Sequence, residues 1–283
     1  MREDDLRESN NVEDRRGIGM GGAGGLGIGA VIVLTLIGWV TGINPATLIG
    51  GAEQVTELTR GQPTQTAQPG APNDQMGVFV SRILGETEDV WGQELPKQAN
   101  RQYEKPVLVL FSGATQSGCG SAQSAMGPFY CPNDHKLYLD TAFFQDMQAK
   151  LGGGGDFAYA YVIAHEVGHH VQNLMGLLPK IQAAEEQNPD QRNAISVKTE
   201  LMADCLAGVW ANKMQVRHHN LDQNDLQQAV ATATAIGDDR LQRQSRGTVV
   251  PDSFTHGSSQ QRVMWLSTGF QGGTISGCNT FQQ

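Results

Sequence analysis

The feature of this sequence that most constrains the fold is an apolar segment near its middle that carries ionisable side chains. Residues 156–175 read DFAYAYVIAHEVGHHVQNLM, with Asp156 after a run of glycines and Gly176 and Pro179 just beyond the end. These residues predict a helix with Asp156 as its N-cap. Most of its other positions are apolar, so the helix is expected to be buried. Two histidines and a glutamate inside such a helix cost free energy unless a metal ion or hydrogen bonds satisfy them.

The polar residues form the pattern H-E-x-x-H, which is typical of zinc hydrolases. His165 and His169 are i and i+4, so on a helix both imidazoles project from one face and can ligate one zinc ion. Glu166 lies beside that face, where a carboxylate can act as general base on zinc-activated water. His170 faces elsewhere and is expected to be a hydrogen-bonded neighbour. The pattern can arise by chance on an amphipathic helix, but its apolar context favours the zinc interpretation.

A catalytic zinc ion needs a third protein ligand and an open position for water. A second helix is predicted over residues 190–214, and within it Glu200 and Asp204 are again i and i+4 in an otherwise apolar stretch. We predict Glu200 as the third ligand. Asp204 is then the acceptor for the outer N–H group of one ligand histidine, which fixes its tautomer. The alternative is a solvated acidic edge, paired with Lys198 or Lys213.

Three segments together resemble one family of proteins. The sequences HEVGHH, ELMAD and THGSSQQRV, the last over residues 255–263, are similar to those of the bacterial membrane-anchored neutral zinc metallopeptidases. The likeness covers nearly the whole chain. The pairing of H-E-x-x-H with E-x-x-x-D also resembles the glutamate-ligand zincins, the thermolysin-like group. The spacing from His256 to Arg262 resembles a segment of certain membrane zincins, although Gly257 stands where those proteins have proline.

The resemblance implies an α+β fold. In this zincin-like domain a small antiparallel or mixed sheet packs on the H-E-x-x-H helix and the Glu200 helix, behind a single N-terminal transmembrane helix. The resemblance also implies that His256 donates to the carbonyl oxygen on which negative charge grows during peptide hydrolysis. Arg262 is expected to orient His256 or to hold the carboxylates. Glu166 takes a proton from water and passes it to the leaving amine.

Two segments before the H-E-x-x-H helix are predicted strands, residues 106–112 and residues 136–140, the second with alternating apolar positions. Zincins commonly hold the substrate as an extra strand along a sheet edge. We therefore predict that an edge strand near Lys136 binds peptide through main-chain hydrogen bonds. The alternative is that both segments are simply core strands.

An uncharged stretch near the N-terminus predicts a membrane anchor. Residues 17–52 include no charged side chain, and residues 26–43 (LGIGAVIVLTLIGWVTGI) are about long enough to cross a bilayer. Trp39 near one end suits an interfacial position. A buried core helix is the alternative. No small-residue cleavage site directly follows, so the anchor is expected to remain uncleaved.

The arginines predict the orientation of this anchor. Four of them precede the span and only Arg60 follows soon after it, so the N-terminus is expected to be cytoplasmic. The catalytic part then faces outward, in the periplasm or outside the cell. The predicted parts are a charged cytoplasmic N-terminus (1–16), a glycine-rich segment with the anchor (17–49), a flexible linker (50–75) and a zinc metallopeptidase domain (76–283).

The four cysteines allow three disulfide pairings. None of them forms a C-x-x-C zinc pattern, and an outward-facing domain permits oxidation. We predict that Cys119 pairs with Cys131 and staples the loop before the edge strand. Cys205 then pairs with Cys278 and ties the C-terminal tail to the Glu200 helix. The alternative is four buried thiols in a cytoplasmic domain.

These features together predict a membrane-anchored endopeptidase with one zinc ion and a peptide or protein substrate. The formal net charge of −9 argues against nucleic-acid binding. Two alternatives remain open, a catalytically inactive zincin-fold binding module and a zinc hydrolase of a non-peptide amide such as a cell-wall component. Glu166 argues against the first, because a purely structural zinc site needs no base and is usually closed by a fourth ligand.

Overall fold

The computed structural model describes residues 1–16, 68–69, 72, 74–151 and 154–282 and shows a mixed α+β fold dominated by helices. The α-helices in this part of the chain are α1 (Gln75–Ala99), α2 (Ala142–Asp146), α3 (Asp156–Leu174), α4 (Leu178–Gln187), α5 (Arg192–His218), α6 (Gln223–Ala235), α7 (Asp238–Arg246) and α8 (Ser259–Gly272). The strands are β1 (Val12–Asp14), β2 (Gln68–Pro69), β3 (Val107–Phe111), β4 (Ala114–Ser117), β5 (Gly120–Gln123), β6 (Phe129–Cys131) and β7 (Lys136–Asp140). Short 3₁₀ helices lie at Ser124–Met126, Pro189–Gln191, Pro251–Ser253, Ile275–Cys278 and Thr280–Gln282.

Five of the described strands form one mixed sheet in the order β2, β1, β3, β7, β6, and β4 pairs with β5 in a separate hairpin. β3 lies parallel to β1 and to β7, whereas β6 runs antiparallel to β7. β3 and β7 confirm the two predicted strands. The prediction that the strand at Lys136 is the edge is wrong, because Tyr130 pairs with Leu137 and β6 is the outer strand. A strand of three residues is too short to show a periodic pattern.

Helix α3 packs against α1, α5 and α6, with β6 beside it. It begins at Asp156 with Gly155 as its N-cap, so Asp156 is the first helical residue and not the predicted cap. Its carboxylate lies in the first turn, where the helix dipole favours negative charge. Phe157 of α3 stacks on Trp210 of α5 with ring centroids 6.2 Å apart, and both rings are buried. Their burial fixes the two helices against each other.

Both predicted disulfides are present. Cys119 and Cys131 join the β4–β5 hairpin to β6, with Cα atoms 5.8 Å apart. Cys205 and Cys278 join α5 to the C-terminal tail, with Cα atoms 5.5 Å apart. By restricting the unfolded chain, bridges that close loops of these lengths stabilise a fold by about 3 to 4 kcal/mol each. The second bridge begins at the residue after Asp204 and therefore fixes α5 beside the predicted site.

Residues 1–16 are part of the folded domain. β1 lies between β2 and β3 in the sheet. The buried carboxylate of Glu88 on α1 accepts hydrogen bonds from Ser9 Oγ at 2.6 Å and from Asn11 Nδ2 at 2.7 Å. A glycine at position 85 permits the close approach, because a Cβ on Gly85 would lie 2.2 Å from the backbone oxygen of Arg7. The N-terminal segment is thus held by backbone pairing, by a buried carboxylate and by close packing on α1.

This packing places residues 1–16 against the part of the chain from which the sequence analysis separated them. Asp14 pairs with Gln68 across β1 and β2, so the chain leaves the sheet and rejoins it at adjacent positions. Segments in contact are expected to lie on one side of a membrane, so this packing favours a common side for residues 1–16 and the domain. The predicted span, residues 26–43, lies outside the described residues, and no helix within them is long and apolar enough to cross a membrane. The side on which the domain lies stays a prediction.

We predict that residues 1–16 and the domain lie on the same side of any membrane that holds the protein. Asp5 and Gln187 are exposed, and all four cysteines are in disulfides, so Asp5→Cys or Gln187→Cys supplies a single reactive thiol. A membrane-impermeant maleimide applied to spheroplasts should label both variants or neither, and detergent should make both reactive. Labelling of one variant with protection of the other would contradict the packing of β1.

Candidate zinc site

Helices α3 and α5 approach each other closely where both carry small residues. A Cβ on Gly168, the glycine inside HEVGHH, would lie 2.9 Å from the backbone oxygen of Ala203. Larger side chains at this crossing would push the helices apart. Because residues four apart share a helix face, the close crossing brings the two histidines of α3 against the two carboxylates of α5.

His165, His169 and Glu200 converge at this crossing. The Nε2 atom of His165 lies 3.1 Å from Glu200 Oε2, and the Nε2 atom of His169 lies 3.4 Å from Glu200 Oε1. One ligand atom from each residue lies within 4.8 Å of the other two. Ligand atoms about 2.0–2.1 Å from one tetrahedral zinc ion are about 3.4 Å apart, so the separations fit a single ion. The set contains no fourth protein ligand from the described residues, which suits catalytic zinc.

Asp204 lies directly behind this ligand set and is fully buried. Its Oδ1 atom lies 2.8 Å from His165 Nδ1 and accepts from the Tyr161 hydroxyl at 2.6 Å. Arg262 donates to both carboxylate oxygens at 2.9 Å and compensates their charge. With a proton held on Nδ1, His165 has its Nε2 lone pair free to ligate a metal. Of the two roles predicted for Arg262, the geometry places it on the carboxylate and not on His256.

The second ligand histidine has its own support. His169 Nδ1 lies 2.9 Å from Gln172 Oε1, and Gln172 Nε2 donates to the backbone oxygen of Thr199 at 2.7 Å. Gln172 is fully buried, so this bridge also ties α3 to the turn of α5 that carries Glu200. Neither Gln172 nor Tyr161 was predicted. Each lies three or four residues from a ligand histidine on the same helix, and this spacing is the signal that could have identified them.

The buried charges of the site favour a cation between the histidines. Burial lowers the pKa of His165, but Asp204 and Glu200 outweigh burial and raise this pKa to about 10. Burial raises the pKa of Glu200, and the two histidines more than reverse that effect, so the pKa lies well below its usual range. Both net shifts reflect attraction between carboxylates and positive charge. A divalent metal ion satisfies the same carboxylates while the imidazoles stay neutral.

Glu166 lines an open cleft of about 580 Å³ together with the three predicted metal ligands. It is 9 % exposed, and burial raises its pKa, which suits a base that takes and then returns a proton. The cleft walls come from β6 and the segment before it, from α2, α3 and α4, and from the end of α6 together with α7. Their apolar members are Met126, Phe129, Phe143, Val162, Leu178, Ile181, Ile236 and Leu241.

His256 lines the same cleft from the loop before α8. Asp238, the first residue of α7, holds this loop, since its Oδ2 atom accepts the N–H groups of Thr255 and His256 at 2.7 Å and of Gly257 at 3.1 Å. Its Oδ1 atom lies 3.4 Å from His256 Nδ1. This interaction with Asp238 is the main reason why the pKa of His256 is raised, against the smaller effect of burial. Asp238 was not predicted, because no local pattern connects it to His256.

Two histidines and a glutamate that could hold one metal ion, with a further carboxylate in the same cleft, form the set of groups that zinc hydrolases use. A model of the family described as "Putative neutral zinc metallopeptidase" matches residues 1–281, and the chain belongs to this family. The Escherichia coli K12 protein YpfJ is 48% identical over 296 residues, which cover 99% of each chain. The Mycobacterium tuberculosis H37Rv protein Rv2575 is 45% identical over 202 residues, 68% of this chain and 66% of its own. Both are described as uncharacterized, and no solved structure matches.

We predict that Asp204→Asn destabilises the protein through Arg262. The substitution preserves shape but leaves a buried guanidinium without its counter-charge, which costs about 3–5 kcal/mol. Urea unfolding of the metal-free protein should show a correspondingly lower midpoint. Asp190→Asn, at an exposed carboxylate just before α5, is the control and should change stability by less than about 0.5 kcal/mol. Equal midpoints for the two variants would contradict the role given to Asp204.

Proposed function

We propose that this protein is a zinc-dependent endopeptidase. The observation that carries the proposal is that Glu166 and the ligand set of His165, His169 and Glu200 share an open cleft. A purely structural zinc site has four protein ligands and no open position for water. A carboxylate placed to act on such a water therefore indicates a catalytic site. Membership of the zinc metallopeptidase family supports the same class of reaction.

The chemistry follows from the groups that meet in the cleft. Zinc, when bound, acidifies a water molecule and polarises the substrate carbonyl. Glu166 takes the proton of the attacking water and delivers it to the nitrogen of the departing amine. Asp204 keeps His165 in the tautomer that ligates through Nε2, and Gln172 does the same for His169. Because burial raises the proton affinity of Glu166, the same carboxylate can serve both transfers.

His256 is the proposed donor to the carbonyl oxygen as negative charge develops there. Its Nδ1 atom lies 3.0 Å from Thr255 Oγ1 and 3.4 Å from Asp238 Oδ1, so the doubly protonated ring can donate from Nδ1 to these oxygens and from Nε2 to the substrate. The carboxylate of Asp238 favours that charged form. Arg262 contributes indirectly, because it holds Asp204 behind the ligand set.

An extended peptide is the substrate shape that suits the cleft. β6 is an outer strand of the mixed sheet, and its residues Phe129 and Tyr130 line the cleft beside the ligand histidines. A peptide paired with β6 through main-chain hydrogen bonds would run past the ligand set whatever its side chains. The apolar walls suit apolar side chains near the scissile bond. The proposed substrate is therefore an unfolded or extended segment of a protein.

We also propose that the protein works outside the cytoplasm and attaches to the membrane through residues 26–43. Two disulfides support an oxidising compartment, because such bridges are rare in cytoplasmic proteins. The apolar length of residues 26–43 supports contact with a bilayer. The maleimide experiment described above shows on which side of the membrane the domain lies. Labelling of Gln187→Cys in spheroplasts without detergent is expected, and its protection would refute the proposed location.

Replacement of the base tests the proposed activity. Glu166→Gln should lower kcat/KM for an unfolded protein substrate by about 10²–10⁴-fold, the usual contribution of general acid–base catalysis, with zinc content unchanged. Glu186→Gln changes an exposed glutamate of α4 and should keep wild-type activity. Chelation should abolish wild-type cleavage, and added zinc should restore it.

Each competing interpretation has its own outcome. Wild-type protein that binds zinc and hydrolyses nothing would favour an inactive binding module. Hydrolysis of cell-wall amides with no cleavage of peptides would favour the non-peptide hydrolase. Full proteolysis by zinc-loaded Glu166→Gln would show that another group supplies the base.

The pH dependence of cleavage tests the role of His256. The pKa of His256 is raised, so its charged form persists above the ordinary value for histidine and kcat/KM should fall as the pH rises through the raised pKa. Asp238→Asn removes the main cause of the shift and should move this alkaline limb to lower pH. Asp252→Asn, an exposed position in the same loop region, is the control. An alkaline limb that does not move in Asp238→Asn would exclude His256 as the titrating donor.

A further inference from the structure

His170, the last histidine of HEVGHH, takes no part in the ligand set and is fully buried. Its Nε2 atom lies 2.6 Å from the backbone oxygen of Glu104, and its Nδ1 atom lies 3.0 Å from the Tyr130 hydroxyl. A carbonyl oxygen can only accept, so Nε2 carries the proton of the neutral ring. Nδ1 is then an acceptor, and the hydroxyl of Tyr130 donates to it.

Tyr130 is the point where the edge strand meets the zinc-binding helix. While its hydroxyl donates to His170, its oxygen accepts from Asn173 Nδ2 at 3.0 Å. His170 and Asn173 are both on α3, one and four residues after the predicted ligand His169. The rings of Tyr130 and His170 are also in edge contact, with centroids 5.3 Å apart. Within the described residues, both side-chain hydrogen bonds that join β6 to α3 end on this one phenol oxygen.

The position of β6 relative to α3 decides where a bound peptide meets the metal ligands. β6 pairs with β7 on one side, and Phe129 and Tyr130 line the cleft. A peptide added to this edge takes its register from the β6 backbone. His165, His169 and Glu166 take their positions from α3. Alignment of the scissile bond with the catalytic groups therefore depends on the connection between the two elements.

We propose that Tyr130 is a positioning residue which, through His170 and Asn173, sets the register of the substrate strand against the zinc-binding helix. The inference rests on the proposed endopeptidase function. The backbone of β6 still binds peptide when the phenol oxygen is absent, so affinity is preserved. Loss of the connection lets the strand and the helix shift relative to each other, which misaligns the scissile bond.

Tyr130→Phe is the direct test, with Tyr138→Phe as the matched control. Tyr138 lies on the neighbouring strand β7, and its hydroxyl donates to Asp134 at 2.7 Å without reaching α3. Each variant loses one phenol hydroxyl and keeps its ring. Tyr130→Phe should lower kcat by about 10- to 100-fold with KM and zinc content unchanged. Mass spectrometry of the products from a long peptide should show additional cleavage two residues from the main site, since side chains repeat every two residues along a strand.

The outcomes separate this role from simple stabilisation. If Tyr130→Phe and Tyr138→Phe lower the unfolding midpoint alike, and share the wild-type kcat and cleavage sites, the positioning role is refuted. Loss of zinc from Tyr130→Phe would also refute it, because the phenol would then support the ligand set itself. Wild-type protein that cleaves no peptide would overturn the endopeptidase function and this role together. If the wild type cleaves peptide while Tyr130→Phe and Tyr138→Phe share its kcat and cleavage sites, only the positioning role is refuted.

Discussion

The buried carboxylate of Asp204 is the interaction on which the rest of the site depends. It belongs to α5, it contacts α3 through His165 and Tyr161, and it contacts α8 through Arg262. A carboxylate at this depth is tolerated because a guanidinium compensates its charge and hydrogen bonds fill its remaining lone pairs. The positions of three helices and the tautomer of one predicted zinc ligand are therefore set by the same few atoms. A disulfide begins at the next residue of α5 and holds this arrangement covalently.

Features encoded within a single helix or strand could be predicted from the sequence. The spacing of four residues between His165 and His169, and between Glu200 and Asp204, places each pair on one helix face before any tertiary contact is known. The structure brings the two pairs together at a crossing of small residues. The predicted strands β3 and β7 were confirmed because each is a short, largely apolar run. Both disulfides were confirmed because four cysteines allow only three pairings.

Contacts between distant segments that carry neither a motif nor a cysteine could not be predicted. β1 consists of Val12, Glu13 and Asp14, which look like part of a solvated terminus until β3 is placed beside them. Of the four arginines counted as cytoplasmic markers, Arg7 is ion-paired with Glu88 and Arg16 with Asp74, both far along the chain. Rules based on local charge cannot detect such pairing. The partnership of Asp238 with His256 and the edge position of β6 were missed for the same reason, because tertiary packing decides them.

The place of β1 in the sheet has a consequence for the order in which the protein is made and folded. Val12–Asp14 are synthesised early, yet their partner strand Val107–Phe111 follows about a hundred residues later, so this pairing belongs to the slow, non-local part of folding. Until Val107–Phe111 has been made, β1 has no parallel partner and the described sheet cannot assemble from the N-terminus onward. The order of synthesis and the order of folding therefore differ, because the first described strand of the chain joins the sheet only after β3 is available.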